Sequence, residues 1–305
     1  NTAANSGRLG HLNSVSSGWQ CRYALLSWTI VTQDKLNPEH FELHITAAMT
    51  GQTVLELLAE NAPVSKQKLK AAMKNGAAWL ESSHGIHRIR RAKKPLAEND
   101  TVHLYYDAAI QASTPATAGL IDDQSEYSVW HKPYGMYSQG TKWGDHCSIY
   151  RWAEQHLQPQ RPAFPVHRLD RAASGLMILA HTKKMAQLFS EMFKHRKIQK
   201  QYRATVAGKL NDLDLPYTIE TTIDDRPAVS KILSLQHQDN NTVVTIEIET
   251  GRKHQIRRHL SDMGFPIVGD RLYGSGQPQE NLKLQSVYLK FVCPITGESR
   301  EYVNQ

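Results

Sequence analysis

His167-Arg168-Leu169-Asp170-Arg171-Ala172-Ala173-Ser174-Gly175-Leu176 carries a carboxylate between two arginines and leads directly into the apolar run Leu176 to Ala180. A short run that is apolar at every position reads as a strand buried on both faces of a sheet. Asp170 then stands in a turn at the edge of that sheet. Neighbouring guanidinium charge keeps such a carboxylate ionised, and exposure at a sheet edge suits it to nucleophilic attack. An Arg and Asp pair is more often a plain structural ion pair, so these residues alone leave both readings open.

Downstream, Met185, Leu188, Phe189, Met192 and Phe193 recur at helical spacing and form one apolar stripe, the mark of a helix packed on a core. Alternating residues predict strands at Tyr202, Ala204 and Val206 and at Val244, Ile246 and Ile248, with another over Val287 to Val292. Mixed strands and helices predict an α+β domain with a central sheet over residues 125–305. Neither GxGxxG after a strand nor GxxxxGKS/T occurs, so no nucleotide cofactor is indicated.

Upstream, residues 108–124 are rich in Ala, Thr, Ser, Pro and Gly and read as a linker. Residues 41–107 form a small unit. Val54, Leu57 and Leu58 mark one helix, Ser65 caps a second in which Leu69, Ala72 and Met73 share a face, and Gly76 stops it. Val102, Leu104 and Tyr106 predict a closing strand. Residues 1–38 show no sustained period and read as a tail.

The 305 residues exceed one average domain, which favours a large domain with a smaller attachment. A 40% hydrophobic fraction supports a sizeable core. The formal charge of +7 and pI near 9.2 favour polyanionic partners. No apolar run approaches the roughly 20 residues of a membrane span; the longest, Tyr23 to Val31, contains Ser27 and Thr29, and no secretory signal is read. Cys21, Cys147 and Cys293 are scattered, which suits a reducing, cytoplasmic compartment rather than a zinc ribbon or a disulfide frame. His84 and His87, or His254 and His259, do not reproduce a helical i, i+4 ligand pair, so no metal is expected. A monomer is the default.

The second helix carries Lys66, Lys68, Lys70 and Lys74 away from its apolar face, and Arg88, Arg90, Arg91, Lys93 and Lys94 follow. Either this is a solvated basic face or it meets phosphates. The order of helix, basic helix, Gly turn and short strands over residues 41–107 resembles a degenerate S4 RNA-binding domain, with Lys66 where an Arg usually opens the second helix.

His167-Arg168-Leu169-Asp170 with Ser174-Gly175-Leu176 resembles the signature of RluA-type pseudouridine synthases. Three further segments match in order: Lys132-Pro133-Tyr134-Gly135-Met136, Lys200-Gln201-Tyr202, and Gly251-Arg252-Lys253-His254-Gln255-Ile256-Arg257 leading to Gly264, Pro266-Ile267 and Gly269-Asp270. Ala173 stands where Thr is usual, and Gln285-Ser286 where a His-Ala pair is common. The resemblance implies the pseudouridine synthase fold, with a mixed, mainly antiparallel central sheet and flanking helices beside the S4-like α/β unit.

It also implies a reaction without cofactor. Asp170 attacks the target uridine, the glycosidic bond breaks, and the uracil rotates and rejoins through carbon 5. Tyr202 resembles the active-site tyrosine, able to stack on the uracil or move a proton, and Arg257 resembles the arginine that pairs with the aspartate. Arg168 resembles the residue that fills the gap left by a flipped base. Lys200, Arg252, Lys253 and Arg258 are expected to contact RNA, as are Lys66, Lys70, Arg90 and Arg91. Lys132 to Met136 is expected to shape the cleft floor and Gly135 to serve a turn, while His254 and Asp270 read as structural. The substrate would be a structured rRNA or tRNA. Two other classes remain: an inactive RNA-binding or ribosome-assembly factor, and an RNA glycosidase, for which no second carboxylate stands in the motifs.

Overall fold

The computed structural model describes residues 37–211 and 213–304. The reading of residues 1–38 as a tail falls almost wholly outside this range, as do Cys21 and the apolar run from Tyr23.

The small unit runs β1 (His40–Thr46), α1 (Val54–Asn61), α2 (Lys66–Lys74), β2 (Ala78–Ser82), β3 (Gly85–Arg88) and β4 (Thr101–Asp107). Its strands form one antiparallel sheet in the order β1-β4-β2-β3. Each helix starts on a side-chain cap. Thr53 accepts the Glu56 amide while the Glu56 carboxylate accepts the Thr53 amide, and Ser65 accepts the Lys68 amide. Gly76, at φ +83°, ends the second helix in the left-handed region. Leu58, Leu69 and Met73 meet Phe41, Val102 and Leu104 in the unit's own core, which leaves Lys66 and Lys70 exposed.

The chain continues through α3 (Ala108–Ala112), β5 (Gly119–Asp123), β6 (Tyr127–Lys132), α4 (Ile149–His156), β7 (Phe164–Pro165) and β8 (Ser174–Ala180). It then forms α5 (Lys183–Lys194), β9 (Gln199–Ala207), β10 (Tyr217–Ile223), β11 (Arg226–Gln238), β12 (Asn241–Ile248), α6 (Gln255–Asp262), β13 (Leu284–Val292) and β14 (Ser299–Val303). Strands β5 to β14 make one ten-stranded sheet, ordered β10-β11-β12-β9-β13-β8-β6-β5, with β14 beside β13 and β7 beside β8. Among the described residues only the β8 and β13 pairing is parallel, so the sheet is mixed and mainly antiparallel.

The unbroken apolar run of β8 has a direct cause. Leu176, Ile178 and Ala180 pack with Met185 and Phe189 of α5, while Met177 and Leu179 pack with Ile149 and Ala153 of α4. A third cluster joins β9 and β12 to Ile256 and Leu260 of α6. At Gly175, φ is +110° and a Cβ would lie 2.2 Å from the Ser286 carbonyl oxygen, so only glycine lets β8 lie against β13 there.

The linker reading of residues 108–124 is corrected. The stretch contains α3 and the edge strand β5, whose Gly119 and Leu120 pair with His131 and Trp130. The Tyr302 hydroxyl also donates to Asp122 at 2.7 Å. An edge strand open to solvent on one side needs little apolar patterning of its own, and so its composition resembles that of a loop.

Candidate active site

The Asp170 turn is clamped from both sides. Leu169 donates its amide to the Ser138 hydroxyl at 2.9 Å and accepts from that hydroxyl at 2.6 Å. Gly135 donates its amide to the Arg171 carbonyl, and Arg171 Nε returns a bond to the Gly135 carbonyl. Gly135 sits at φ +80°, so the expected turn is a left-handed one. Lys132 is fully buried and its Nζ reaches the carbonyls of Pro133, Met136 and Ala173. Burial pulls Lys132 down to about 7, whereas three carbonyl acceptors together favour the three-donor ammonium form. Lys132 to Met136 therefore staples the loop as well as shaping the floor.

His167 sits beneath the turn against Phe193, ring centroids 4.7 Å apart, and its Nε2 accepts the Ile178 amide at 2.9 Å. That bond needs a lone pair on Nε2, which a protonated ring lacks. Burial, reinforced by the charge of Lys200, lowers the His167 pKa to about 3. The ring is thus a neutral pin between turn and strand.

Asp170 faces a cleft of about 480 Å³, whose lining includes Tyr134, Arg168, Arg257 and Leu272. Its Oδ2 lies 3.3 Å from Arg257 Nη1, and its Oδ1 3.8 Å from His254 Nε2. Arg257 projects from α6 and makes two 2.7 Å bonds to the buried carboxylate of Asp270. Burial alone would raise Asp270, but Arg257 and the amides of Leu272 and Tyr273 overcome it and hold this carboxyl below its ordinary value. The guanidinium also lies over the Tyr273 ring at 5.1 Å. The arginine is fixed by Asp270 and Tyr273 and presents its third nitrogen, Nη1, to Asp170.

Helix α6 is itself anchored. Gln255 accepts from the Thr250 hydroxyl and the Arg252 amide, and donates to the Val229 carbonyl and Ser230. Tyr202 comes from β9, is 7% exposed, and belongs to the apolar cluster that includes Leu169, Ala173 and Ile256. Burial first, then the charge of Asp170, raises its pKa, so the phenol keeps its proton at neutral pH. Asp170 and Arg257 thus meet at the cleft from separate parts of the chain, while Tyr202 packs behind them in the cluster of Leu169 and Ile256 and is not among the cleft-lining residues.

The other sequence-predicted residues divide. Arg168 is exposed and lines the cleft; Lys66, Lys70, Arg91 and Lys253 are exposed. Arg252 bonds the Pro227 carbonyl and Arg258 pairs with Asp224 at 3.0 Å, each only partly buried. Lys200 is corrected: it is 8% exposed, with its ammonium 5.8 Å from the centre of the Phe193 ring, because the inward side of β9 carries it under the sheet. Arg90 is corrected as well, since it is committed to Asp145 at 2.5 Å and to the Lys74 carbonyl.

His254, expected to be structural, faces the cleft next to Asp170. Its left-handed φ of +55° turns the ring there, and its Nδ1 meets the Tyr273 hydroxyl at 3.0 Å. Tyr137, Ser138 and Gln139 also line the cleft, and no motif points to them. Their only signal in the chain is their position just after Met136.

Residues 126–262 match the family model described as RNA pseudouridylate synthase. The chain is 35% identical over 200 residues to the uncharacterized RNA pseudouridine synthase YjbO of Bacillus subtilis, a match covering 60% of this chain and 70% of that protein. It is 31% identical over 169 residues to tRNA pseudouridine synthase C of Haemophilus ducreyi, covering 47% and 69%. Among solved structures, human RNA pseudouridylate synthase domain containing 1 aligns with a TM-score of 0.52 and 21% identity, covering 63% of this chain and 86% of that one, a likeness of fold.

Proposed function

Because the chain belongs to the family of RNA pseudouridine synthases, we propose that it works as an RluA-type enzyme in which Asp170 isomerises a uridine flipped out of a structured rRNA or tRNA. The observation that carries the site assignment is the meeting of Asp170 and Arg257 at 3.3 Å on the wall of an open cleft. Arg257 pairs with the carboxylate and aims it, and a buried ion pair to Asp270 keeps Arg257 from swinging away.

A uridine in a folded RNA reaches the carboxylate only by leaving its stack. Arg168 enters the vacated space, a role supported by its exposure on the lining of the cleft. Asp170 then forms a bond with the nucleotide as the glycosidic bond breaks. The detached uracil turns within the cleft and bonds to the sugar through carbon 5 as the bond to Asp170 breaks and frees the carboxylate; loss of the proton from carbon 5 and gain of one at N1 complete the isomerisation. Tyr202 enters as a phenol, a donor rather than a base, since burial and the nearby carboxylate keep it protonated. Water must be kept from the sugar while the base is free.

The protein would act in the cytoplasm as a monomer and without a cofactor. Cys147 and Cys293 are free thiols, in keeping with a reducing compartment. No helix among the described residues is long and apolar enough to cross a membrane. Residues 41–107 act as an S4-like RNA-binding unit, a role supported by the exposed Lys66 and Lys70 on α2. An inactive RNA-binding factor is disfavoured by the complete set of Asp170, Tyr202 and Arg257.

Asp170→Ala is the direct test. Expected is loss of pseudouridine from the target RNA in a strain lacking its own enzyme, with RNA binding retained because many phosphate contacts carry it. Undiminished modification would refute the assignment.

A further inference from the structure

Asp145 lies between β6 and α4, outside the cleft, with its carboxylate almost fully buried. Its cationic partners come from the small unit: Arg90 Nη2 at 2.5 Å and Arg88 Nε at 3.5 Å. Tyr150 donates to the same oxygen at 2.6 Å, while Oδ1 has no hydrogen-bond partner among the described residues. Backbone contacts follow the same line. The Asp145 amide donates to the Asn75 carbonyl, Arg88 to the Thr141 carbonyl, and the Trp79 indole to the Lys142 carbonyl. Segment 141–145 is therefore gripped by the small unit.

The same segment holds the catalytic turn at its other end. Tyr137 donates its amide to the Cys147 carbonyl, and Ile149 donates to the Tyr137 carbonyl, closing the loop at its base. Ser138 follows at once and makes both bonds to Leu169, the residue before Asp170. Gly140 lies so close to Asp145 that an added Cβ would stand 2.3 Å from the Asp145 Cβ, so the loop has little freedom to repack. A buried ion pair with an unsatisfied oxygen is a poor source of stability, which favours a geometric role for it.

We propose that Asp145 is a positioning residue: its pairing with Arg88 and Arg90 ties the small unit to loop 137–148 and through Ser138 sets the Asp170 turn. This rests on the proposed role of Asp170. The consequence is that RNA engaged by the small unit and chemistry in the cleft are mechanically linked.

The test uses the full chain with Asp145→Asn, Arg90→Gln and Arg90→Lys. With Asp145→Asn or Arg90→Gln, single-turnover modification at saturating RNA should slow by about tenfold or more while half-saturation moves less than about twofold. Hydrogen exchange of the Leu169 amide should quicken, with the amides of β8 unchanged, and Arg90→Lys should keep most of the rate. An unchanged rate at saturation overturns the proposal. So does exchange that rises evenly along the chain with activity falling in proportion to folded protein. If Asp145→Asn fails to fold, Arg90→Gln decides, since that side chain is partly exposed. Should Asp170→Ala prove active, the catalytic reading fails separately, and the Leu169 exchange still reports whether the two parts are coupled.

Discussion

Arg257 serves two aspartates unequally, holding Asp270 through two bonds of 2.7 Å and meeting Asp170 through one contact of 3.3 Å. The buried carboxylate is the anchor and the cleft carboxylate is the one left free to react.

Asp270→Asn should therefore injure both stability and rate. Removing one charge of a buried pair strands the other, at a cost of about 3–5 kcal/mol. A guanidinium no longer held in place misdirects Asp170, with an expected loss of about 100-fold in single-turnover rate. Urea unfolding and rate measurements on the same preparation check both, and a stable variant of normal rate would contradict the anchoring role.

His167 should give the fold an acid limb. Its folded pKa, about 3, lies below the value near 6.5 of an unfolded histidine, so the unfolded chain binds the extra proton between those values. Stability from this group is complete above the upper value and is lost as pH falls towards the lower one. Because the ring is only partly screened from solvent, the slope should be up to about 1 kcal/mol per pH unit. His167→Gln, whose amide oxygen can still accept the Ile178 N–H, should flatten urea-melt stability between about pH 6 and about pH 4, a window below the ordinary histidine value.

Gly175→Ala should damage the fold itself. A Cβ meeting the Ser286 backbone, at a φ that disfavours side chains, should cost on the order of 3 kcal/mol. Thermal melting checks this, and a variant melting like the parent would show that β8 and β13 can part at no cost.

The basic residues should separate by their setting. Lys66→Ala with Lys70→Ala should reduce the salt dependence of RNA binding by about 0.9 for each duplex phosphate no longer neutralised. Lys200→Met should leave that slope unchanged, since the ammonium lies under the sheet. Titrations at several salt concentrations distinguish the two, and a shallower slope for Lys200→Met would restore it as a phosphate ligand.

Much of the fold is legible in the chain. The apolar run at Leu176 to Ala180, the stripe of α5 and the Ser65 cap each encode local structure through periodicity or a single side chain, and the structure carries each. Strand β5 is not legible because an exposed edge needs no apolar alternation. Lys200 and Arg90 mislead because a lysine or arginine in sequence gives its charge without its direction.

Residue order over short spans is enough to specify the class of fold, its principal strands and helices, and the motif around Asp170. That Arg257 is anchored by Asp270, that His254 faces the cleft, and that Arg88 and Arg90 close on Asp145 emerges from the folded arrangement alone. Those relationships join residues far apart in the chain, and burial, hydrogen-bond direction and charge pairing between such residues exist only once the sheet has brought them together.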